Sequence, residues 1–408
     1  MKLFYRFAVL GWLAAVPFLD RNVWADEIHP QKSGDITAAL QQVFDAAGEG
    51  AKIQFETGVY HMSGVVRIDK SVRVDFNGST IIFDNGFREK GFHVSPQAVC
   101  EVVEFQNGNF IGDGTLNANK GPVISSYSGC RVGRFVIERC TFRNLTYGCS
   151  FNCTHAGVIR NASLTGCLFE NIVGNDAERG KGVAFSLNQK EFCAGRSSGN
   201  VFINCGRHSV YCSAGGRFLS DGDTCYRNNV GGETNYPLAA FALARGSHIK
   251  VTNAYIEGCR DGISVSSGDP SREYSDVVIE DCTFVDNDRY DISLNTDNPE
   301  ANGLYRNVVV RNTNHTLTSD SGVAVAAWAY QGMRLSGLQI FDERTRDKTT
   351  LWLAGRGDSQ GISVTDVDIT TSKRRGGSGL IYIRPDAGKS IEEWDVRLNG
   401  TVYRVNTR

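Results

Sequence analysis

Side chains that can move protons or bind anions are concentrated between residues 188 and 245. They are Asn188, Lys190, Arg207, His208, Tyr211, Arg217 and Arg245. Lys, His and Tyr act as general acids and bases in enzymes, and Arg and Asn bind carboxylates. Because removal of a proton next to a carboxylate needs both kinds of group, the set predicts proton abstraction from an anionic substrate.

The set divides into two expected roles. Tyr211, His208 and Lys190 are the predicted catalytic acids and bases, since neighbouring cations can lower the pKa of a lysine into a useful range. The residues predicted to bind the substrate or neutralise its carboxylate are Asn188, Arg217, Arg245 and Arg207.

Most of these residues also have a structural interpretation. His208 begins a strand, where an imidazole bonded to the backbone fits the sequence equally well. Lys190 fits a solvated loop charge, and the stems of Arg217 and Arg245 could cover apolar edges. Tyr211 stands on a strand face of Ser and Asn, where a phenol has no structural need. Tyr211 is therefore the strongest single prediction.

The elements that must position these side chains are short strands that alternate apolar and small polar residues. Residues 183–188 and 263–266 are examples, and period-two alternation is typical of half-buried strands. If equivalent strands stack side by side, their outward residues lie ~4.8 Å apart. Asn188, Tyr211 and Ala244 are then predicted to form one row.

A repeated phrase indicates that these strands belong to a regular repeat. Cys-x-Phe followed two residues later by Asn or Asp occurs at residues 140–144, 167–171 and 282–286. Equivalent core positions are predicted at Phe142, Phe169 and Phe202, and at Ile256, Phe284 and Val310. Two or three strands per ~20–35 residues describe coils of a parallel β-helix, whereas β-propeller blades of ~40 residues fit less well. The predicted fold is all-β, a single-domain parallel β-helix solenoid over residues 51–385.

Both ends of such a solenoid need a cap. Asp35 is a good N-cap for the amphipathic stretch 36–47. Its apolar face would consist of Ile36, Leu40, Val43 and Phe44. We therefore predict an N-terminal capping α-helix within residues 26–50 and a C-terminal cap over residues 386–408.

Residues 1–25 have the pattern of a cleaved secretory signal peptide, because Lys2 and Arg6 precede an apolar run and Ala25 precedes a plausible cleavage site. A retained N-terminal anchor is the alternative. No later run reaches the ~18 apolar residues of a membrane span. The mature protein is therefore expected to be secreted or periplasmic, free of the membrane after cleavage, and monomeric.

Twelve cysteines are too few in this chain for a small disulfide-stapled scaffold. The cysteines that begin the repeated phrase should lie at equivalent places on successive coils. They could be free, behaving as small apolar side chains, or paired between neighbours, for example Cys140 with Cys167.

The helix of residues 35–47, the Gly58-Val-Tyr60 strand after it and the repeated phrases resemble the pectate-lyase-like right-handed parallel β-helix superfamily. The resemblance covers nearly all of residues 30–385 and implies the right-handed form of the fold. It is strongest to the uronan polysaccharide lyases of the alginate and glycosaminoglycan type, which use Lys or Arg, or a His and Tyr pair. The superfamily also includes hydrolases, epimerases and phage tailspikes.

Other motifs of the superfamily are incomplete. Asn295-Thr-Asp297 resembles the first motif of pectin-type hydrolases, but the paired aspartates and the Gly-His-Gly that should follow are absent. Asp269-Pro270 is followed by Ser271, so the Asp-Pro-His motif of the epimerases is missing. The acidic turns 221–223 and 269–273 could bind Ca²⁺, although such turns are commonly structural. No zinc spacing occurs, and no cofactor is certain from the sequence.

The charge balance limits the kind of partner. With 43 Lys and Arg against 45 Asp and Glu, the net charge is −2, so no overall basic field favours nucleic acid. An acidic polysaccharide bound by a local cationic cluster fits better. The prediction is an exported lyase that cleaves a uronate-containing polysaccharide by β-elimination. The alternatives are a glycoside hydrolase with carboxylates ~5–9.5 Å apart, and a non-catalytic glycan-binding or surface-structural β-helix.

Overall fold

The chain forms two compact units, residues 1–196 and residues 197–408, and each is described in turn. In each unit the strands belong to one of two sheets, the large sheet and the small sheet. The computed structural model describes residues 4–6, 34–83, 91–112, 121–153, 157–173, 182–189, 193–213, 216–228, 239–245, 247–265, 273–294, 304–318, 322–328, 330–345, 348–354, 360–372, 380–383 and 391–403.

The first unit contains the helix α1 (Thr37–Ala46) and the strands up to its last residue. Its large-sheet strands are β1 (Phe4–Arg6), β2 (Ala51–Gln54), β3 (Val59–Met62), β5 (Val72–Asp75), β6 (Thr80–Phe83), β8 (Val99–Gln106), β9 (Asn109–Ile111), β11 (Arg131–Glu138), β12 (Thr141–Leu145), β14 (Val158–Thr165) and β15 (Leu168–Ile172). Its small-sheet strands are β4 (Val66–Ile68), β7 (Phe92–Val94), β10 (Ile124–Ser126), β13 (Cys149–Cys153) and β16 (Val183–Gln189). The large-sheet strand β17 (Ala194–Ser198) includes the last residues of this unit.

The second unit is built in the same way. Its large-sheet strands are β18 (Val201–Ile203), β20 (Arg217–Asp221), β21 (Thr224–Tyr226), β23 (Ile249–Thr252), β24 (Tyr255–Glu257), β26 (Glu273–Glu280), β27 (Thr283–Val285), β29 (Leu304–Arg311), β30 (Asn314–Leu317), β32 (Tyr330–Asp342), β34 (Gln360–Thr370), β36 (Ile391–Leu398) and β37 (Thr401–Val402). Its small-sheet strands are β19 (His208–Ser213), β22 (Ala239–Arg245), β25 (Asp261–Val265), β28 (Tyr290–Leu294), β31 (Val323–Ala327), β33 (Leu351–Leu353) and β35 (Ile381–Ile383).

Most coils consist of two large-sheet strands followed by one small-sheet strand. Strands β8, β9 and β10 form one such coil, and β11, β12 and β13 of the next coil pair with them in parallel. Phe142 and Phe169 are in register, and their buried rings stack with centroids 4.5 Å apart at 5°. The all-β parallel β-helix and the equivalence of the repeated phrase in this unit are confirmed. Among the described residues, no helix has the length and apolar character to span a membrane.

Asn and Asp side chains line the corner between the two large-sheet strands of a coil. Asn107, Asn253 and Asn312 have φ of 58°, 54° and 53°, a left-handed conformation that asparagine tolerates because its short side chain can hydrogen-bond locally. Asn107 Nδ2 donates to Asp75 Oδ1 at 3.0 Å, and Arg139 Nε donates to Asn107 Oδ1 at 3.0 Å. The corner side chains therefore form a hydrogen-bonded ladder across successive coils.

One predicted equivalence between core positions in the second unit is wrong. The residue in register with Phe284 is His315, whereas Val310 lies on β29. The buried His315 ring stacks on Phe284 with centroids 5.0 Å apart at 8°. Its Nδ1 lies 2.8 Å from Asp291 Oδ2, and its Nε2 lies 2.9 Å from Thr313 Oγ1. Apolar patterning does not predict a histidine at this position. The polar ring is tolerated in the core because both of its nitrogens are hydrogen-bonded.

The predicted capping helix is present as α1. Its predicted apolar face is buried at Ile36, Leu40, Val43 and Phe44. Asp35 Oδ1 accepts a hydrogen bond from Thr37 N at 3.0 Å, although Ile36 occupies the N-cap position. Gln41 Nε2 donates to Arg67 O at 3.2 Å, and Arg67 N donates to Gln41 Oε1 at 2.7 Å. These two bonds join the helix to β4.

All twelve cysteines are buried and free. Of the two alternatives considered for Cys140 and Cys167, the structure has the free thiols, with Cys140 N donating to Cys167 Sγ at 3.4 Å. The sulfur atoms of Cys130 and Cys153 lie 3.7 Å apart. The cysteines therefore act as small core residues.

The predicted end segments are described only in part. Of residues 1–25, Phe4–Arg6 form β1 in register with residues 52–54, and the others lie outside the described residues. In the predicted C-terminal cap, β36 and β37 form an antiparallel pair.

Candidate functional site

In the first unit, the structure describes one of the two predicted site residues. Asn188 lies half-buried on β16, in register with Asn152 on β13. The two amides form a row on the small sheet, as expected for adjacent coils. Lys190 lies outside the described residues.

In the second unit, the structure brings His208 and Tyr211 together on β19. Their ring centroids are 5.7 Å apart, at 28°. Arg207 directly precedes this strand, whereas Arg217 begins β20 of the large sheet and is exposed. Arg245 ends β22, and only its backbone is described.

His208 is buried and neutral. Its side chain is 3% exposed, and its Nδ1 lies 2.9 Å from Ala239 O. Burial, aided by the Arg207 charge, lowers the pKa of His208 to about 3, against the raising effect of the Ala239 hydrogen bond. With its Nδ1 proton donated to Ala239 O, Nε2 is the nitrogen that can accept a proton.

The predicted row of outward residues is wrong at Ala244. Tyr211 is in register with Ala242, and a shift at the end of β19 brings Ser213 opposite Arg245. The two-residue offset precedes the β-bulge at Ala244, and alternation does not reveal it because Ala242 and Ala244 lie on the same face of β22. Tyr211 therefore has the small side chain of Ala242 beside it.

A second His and Tyr pair lies on the small sheet of the first unit and was not predicted from the sequence. Arg67, His93 and Ser125 are in register at the centres of β4, β7 and β10. His93 Nδ1 lies 2.9 Å from Ser125 Oγ, and the His93 ring centroid lies 5.4 Å from that of Tyr127, at 79°. Tyr127 is 47% exposed, and Arg67 is exposed as well. A cation, an imidazole and a phenol therefore share one face.

Local sequence explains why Arg67 and His93 face outward. Each is the middle residue of a three-residue strand, in 66–68 and 92–94, and the apolar residues on both sides are buried. This alternation was a usable signal. Residues 65–68 fit a predicted strand, but the strand of His93 has three residues, fewer than the four to eight over which a strand pattern is normally recognised.

The comparisons with known proteins concern the fold. No family model and no curated protein matches this sequence. The endo-xylogalacturonan hydrolase from Aspergillus tubingensis matches with a TM-score of 0.53 and 12% identity, over 91% of this chain and 97% of that chain. This chain therefore shares the parallel β-helix fold with that hydrolase. At 12% identity the likeness concerns the fold, and the chemistry is argued from this chain's own residues.

Two further solved structures are similar. Geobacillus virus E2 ORF18 matches with a TM-score of 0.47 and 15% identity over 76% of this chain, which spans only 59% of that chain. A PL6 alginate lyase in complex with a trisaccharide matches with a TM-score of 0.45 and 14% identity, over 90% of this chain and 88% of that chain.

The small-sheet strands carry two carboxylates in the described residues, Asp261 and Asp291, both buried. Asp261 accepts hydrogen bonds from Arg289 Nε and Nη2 at 2.9 and 2.6 Å. Asp291 lies 2.8 Å from His315 Nδ1 and accepts from Asn287 Nδ2 at 2.8 Å, and burial raises the pKa of Asp291. Neither carboxylate is available as an exposed acid or base.

The described part of the chain has no group of three or more His, Cys, Asp or Glu residues that could hold a metal ion. In the acidic turn 221–223, Asp223 Oδ1 accepts from Asn200 N at 2.9 Å, and Oδ2 accepts from the Ser220 hydroxyl at 2.7 Å. This carboxylate is thus engaged within its corner. Residues 269–272 of the other turn lie outside the described residues.

A polar cleft of about 510 Å³ lies on the large sheet of the second unit. Its polar lining includes Asn307, Gln331, Arg334, Gln360, Ser363 and Glu392. It opens where the left-handed corner positions are Gly332 and Gly361, which carry no side chain to fill the space. The cleft belongs to a different sheet from Tyr211.

Proposed function

We propose that the protein is an exported lyase that cleaves a uronate-containing polysaccharide by β-elimination. The main support is the His93 and Tyr127 pair beside Arg67, because it combines a proton acceptor, a proton donor and a cation for a carboxylate. The fold shared with an endo-xylogalacturonan hydrolase supports a polysaccharide as substrate. Export rests on the signal-like residues 1–25, and the N-terminal residue of the secreted protein tests it.

Each group has one task in the elimination. The Arg67 guanidinium pairs with the uronate carboxylate and stabilises the charge that develops as C5 loses its proton. His93, held by Ser125, takes that proton. The electron pair of the C5–H bond forms the C4=C5 double bond while the bond between C4 and the glycosidic oxygen breaks. Tyr127 gives its proton to the leaving oxygen.

As the alternative to the His93 site, we propose catalysis by Tyr211 and His208 of the second unit, with Lys190 as the third predicted catalytic residue. Substrate contacts there would come from Arg207, Arg217 and Arg245, with Asn188 as the fourth predicted binding residue. We give precedence to His93 because His208 is only 3% exposed, and a base must come within ~2.6–3.2 Å of the proton it removes.

The carboxylates on the described small-sheet strands favour elimination over hydrolysis. Glycoside hydrolases use two carboxyl groups ~5–9.5 Å apart that reach the substrate. Asp261 and Asp291 are buried and engaged with Arg289 and His315. The lyase therefore takes precedence over the hydrolase.

The test is an activity assay on alginate, polygalacturonate and a glycosaminoglycan. The ultraviolet absorbance of the unsaturated uronate reports elimination, and new reducing ends report any cleavage. Replacing His93 by Ala or Tyr127 by Phe is expected to lower kcat about 10²- to 10⁴-fold, the usual effect of losing a general acid or base. Tyr211→Phe is the matched control, because it removes the corresponding hydroxyl from the second unit and should keep most of the activity.

Other outcomes would change the assignment. Loss of activity in Tyr211→Phe with full activity in Tyr127→Phe would move the site to the second unit. Reducing ends without the unsaturated product would contradict elimination and favour hydrolysis. No product from any glycan would favour a binding role.

A further inference from the structure

Three aromatic side chains form a continuous cluster on the small sheet of the second unit. We call Trp328, Trp352 and Tyr382 the aromatic platform. The ring centroids of Trp328 and Trp352 are 5.1 Å apart at 49°, and those of Trp352 and Tyr382 are 5.5 Å apart at 74°. Trp352 and Tyr382 are in register on β33 and β35, and Trp328 directly follows β31.

The aromatic platform is not part of the apolar core. Leu351 and Leu353, the neighbours of Trp352 on β33, are fully buried, so alternation places Trp352 on the opposite face. Tyr382 is 45% exposed, and both tryptophans are partly exposed. A contiguous patch of large aromatic side chains at a protein surface is typical of a ligand-binding or interaction site.

The aromatic platform continues the strand register that begins at Tyr211. The register runs through Tyr211, Ala242, Ser264, Ser293, Ala326, Trp352 and Tyr382. Its six steps of ~4.8 Å place Tyr211 and Tyr382 about 29 Å apart. A ligand that contacts both ends of this row must therefore be a long chain.

The chemistry of the aromatic platform favours a sugar ring. Trp and Tyr combine an apolar ring face with a polar N–H or O–H at the edge. A pyranose has the same division, with C–H bonds on one face and hydroxyls around the rim. Because the platform contains no charged side chain, it would recognise the ring rather than its carboxylate. Trp352 Nε1 is buried without a hydrogen-bond acceptor in the structure, which costs free energy. A bound sugar hydroxyl would supply the acceptor after a local rearrangement.

We propose that the aromatic platform is a sugar-stacking subsite for a polysaccharide chain. The choice of a polysaccharide as ligand rests on the proposed function. A chain that contacts both the platform and Tyr211 has to span about 29 Å, which short oligosaccharides do not. Polymers are therefore expected to bind more tightly than short oligosaccharides of the same sugar.

Tryptophan fluorescence tests this directly, because two of the three platform residues are tryptophans. Titration of the whole protein with alginate, polygalacturonate or a glycosaminoglycan is expected to give a saturable change in emission with at least one polymer. Tyr382→Ala removes a largely exposed side chain, and circular dichroism checks that it folds. It is expected to raise Kd for that polymer about tenfold, as the loss of one aromatic stack implies.

Two control variants locate the binding. Trp394→Phe removes a tryptophan of β36 whose Nε1 donates to Tyr403 O at 2.8 Å, and the emission change should persist. Arg334→Ala alters the polar cleft on the large sheet and should leave Kd unchanged. If Arg334→Ala weakens binding and Tyr382→Ala does not, the cleft is the binding site and the inference is wrong.

Failure of this inference and failure of the proposed function give different results. Polymer binding that Tyr382→Ala weakens, in a protein without lyase activity, would keep the subsite and remove the lyase. Unchanged polymer binding in Tyr382→Ala, in an active lyase, would overturn the subsite alone. Self-association that Tyr382→Ala abolishes, with no emission change for any glycan, would make the platform a contact between copies and would overturn the inference.

Discussion

A single carboxylate, Asp35, joins the capping helix to the first coil. Its Oδ1 accepts hydrogen bonds from Thr37 N and Oγ1 at 3.0 and 2.6 Å, and its Oδ2 accepts from the Ser63 hydroxyl at 2.6 Å. Burial raises the pKa of Asp35, but the hydrogen bonds from Ser63 and Thr37 outweigh it and leave the pKa below its usual 3.8. The ionised carboxylate therefore favours the folded state.

Replacing Asp35 by Asn is expected to lower the free energy of unfolding by about 1 kcal/mol at neutral pH, because the amide nitrogen cannot accept the hydrogen bond from the Ser63 hydroxyl. Because the folded pKa is lowered, this contribution is present above the unfolded pKa of 3.8 and is lost as the pH falls through the folded pKa. Urea unfolding at neutral pH and near pH 3 measures it. Asp45→Asn, at an exposed helix carboxylate that accepts from Gln41, should cost less. A loss at Asp35 that is equal at both pH values would contradict the argument.

For single residues, the sequence predicts which chemistry a side chain can perform better than it predicts whether that side chain is buried or exposed. Tyr211 and His208 could be assigned to one strand by alternation. The burial of His208 could not be predicted, because its partner Ala239 belongs to the next small-sheet strand. His93 and Tyr127 meet only when adjacent coils stack, so their separation in the sequence conceals the pair.

Among the elements, the connection from β32 to β33 is held by one buried guanidinium. Arg344 has no exposed surface, and its Nε and Nη2 donate to Asp342 Oδ1 and Oδ2 at 3.0 and 2.7 Å. Its Nη2 also donates to Thr350 Oγ1 at 2.9 Å, and its Nη1 donates to Gly322 O. Burial raises the pKa of Asp342, but the hydrogen bond and charge of Arg344 lower it more. The ion pair thus links the ends of three strands.

Replacing Arg344 by Met is expected to lower the free energy of unfolding by about 3–5 kcal/mol, because Asp342 would remain buried without its cation. The matched control is Arg397→Met. Its pair with Asp395 has an Nε to Oδ1 distance of 3.7 Å and is about half exposed, so its loss should cost about 1 kcal/mol or less. Urea unfolding of the two variants measures the difference, and similar losses would show that burial is not decisive here.

Strand alternation and turn residues suffice to predict the β-helix because every coil repeats the same pattern. Departures from the pattern are not predictable in this way. The register of β22 places Ala242 rather than Ala244 beside Tyr211, and His315 occupies a column of apolar residues. Both depend on contacts between coils, which a single coil's sequence does not contain.

Across the whole molecule, burial should make the thiols unreactive. It raises the pKa of Cys149 and Cys225 well above the usual value, and the thiolate is the form that reacts. In a titration with a disulfide reagent, the native protein should react slowly and the unfolded protein should show all twelve thiols. Cys130 should react first, because the neighbouring thiol of Cys153 lowers its pKa. Fast reaction of many thiols in the native protein would contradict the buried arrangement.

The parallel pairing of the small-sheet strands in the second unit gives their outward face a direction. The Tyr211 end and the Tyr382 end of the row are not related by symmetry. A polysaccharide has a reducing and a non-reducing end, so its two orientations along the row meet different side chains and differ in binding energy. A polysaccharide bound at both ends of this row would therefore take one preferred polarity, set by the parallel strands alone.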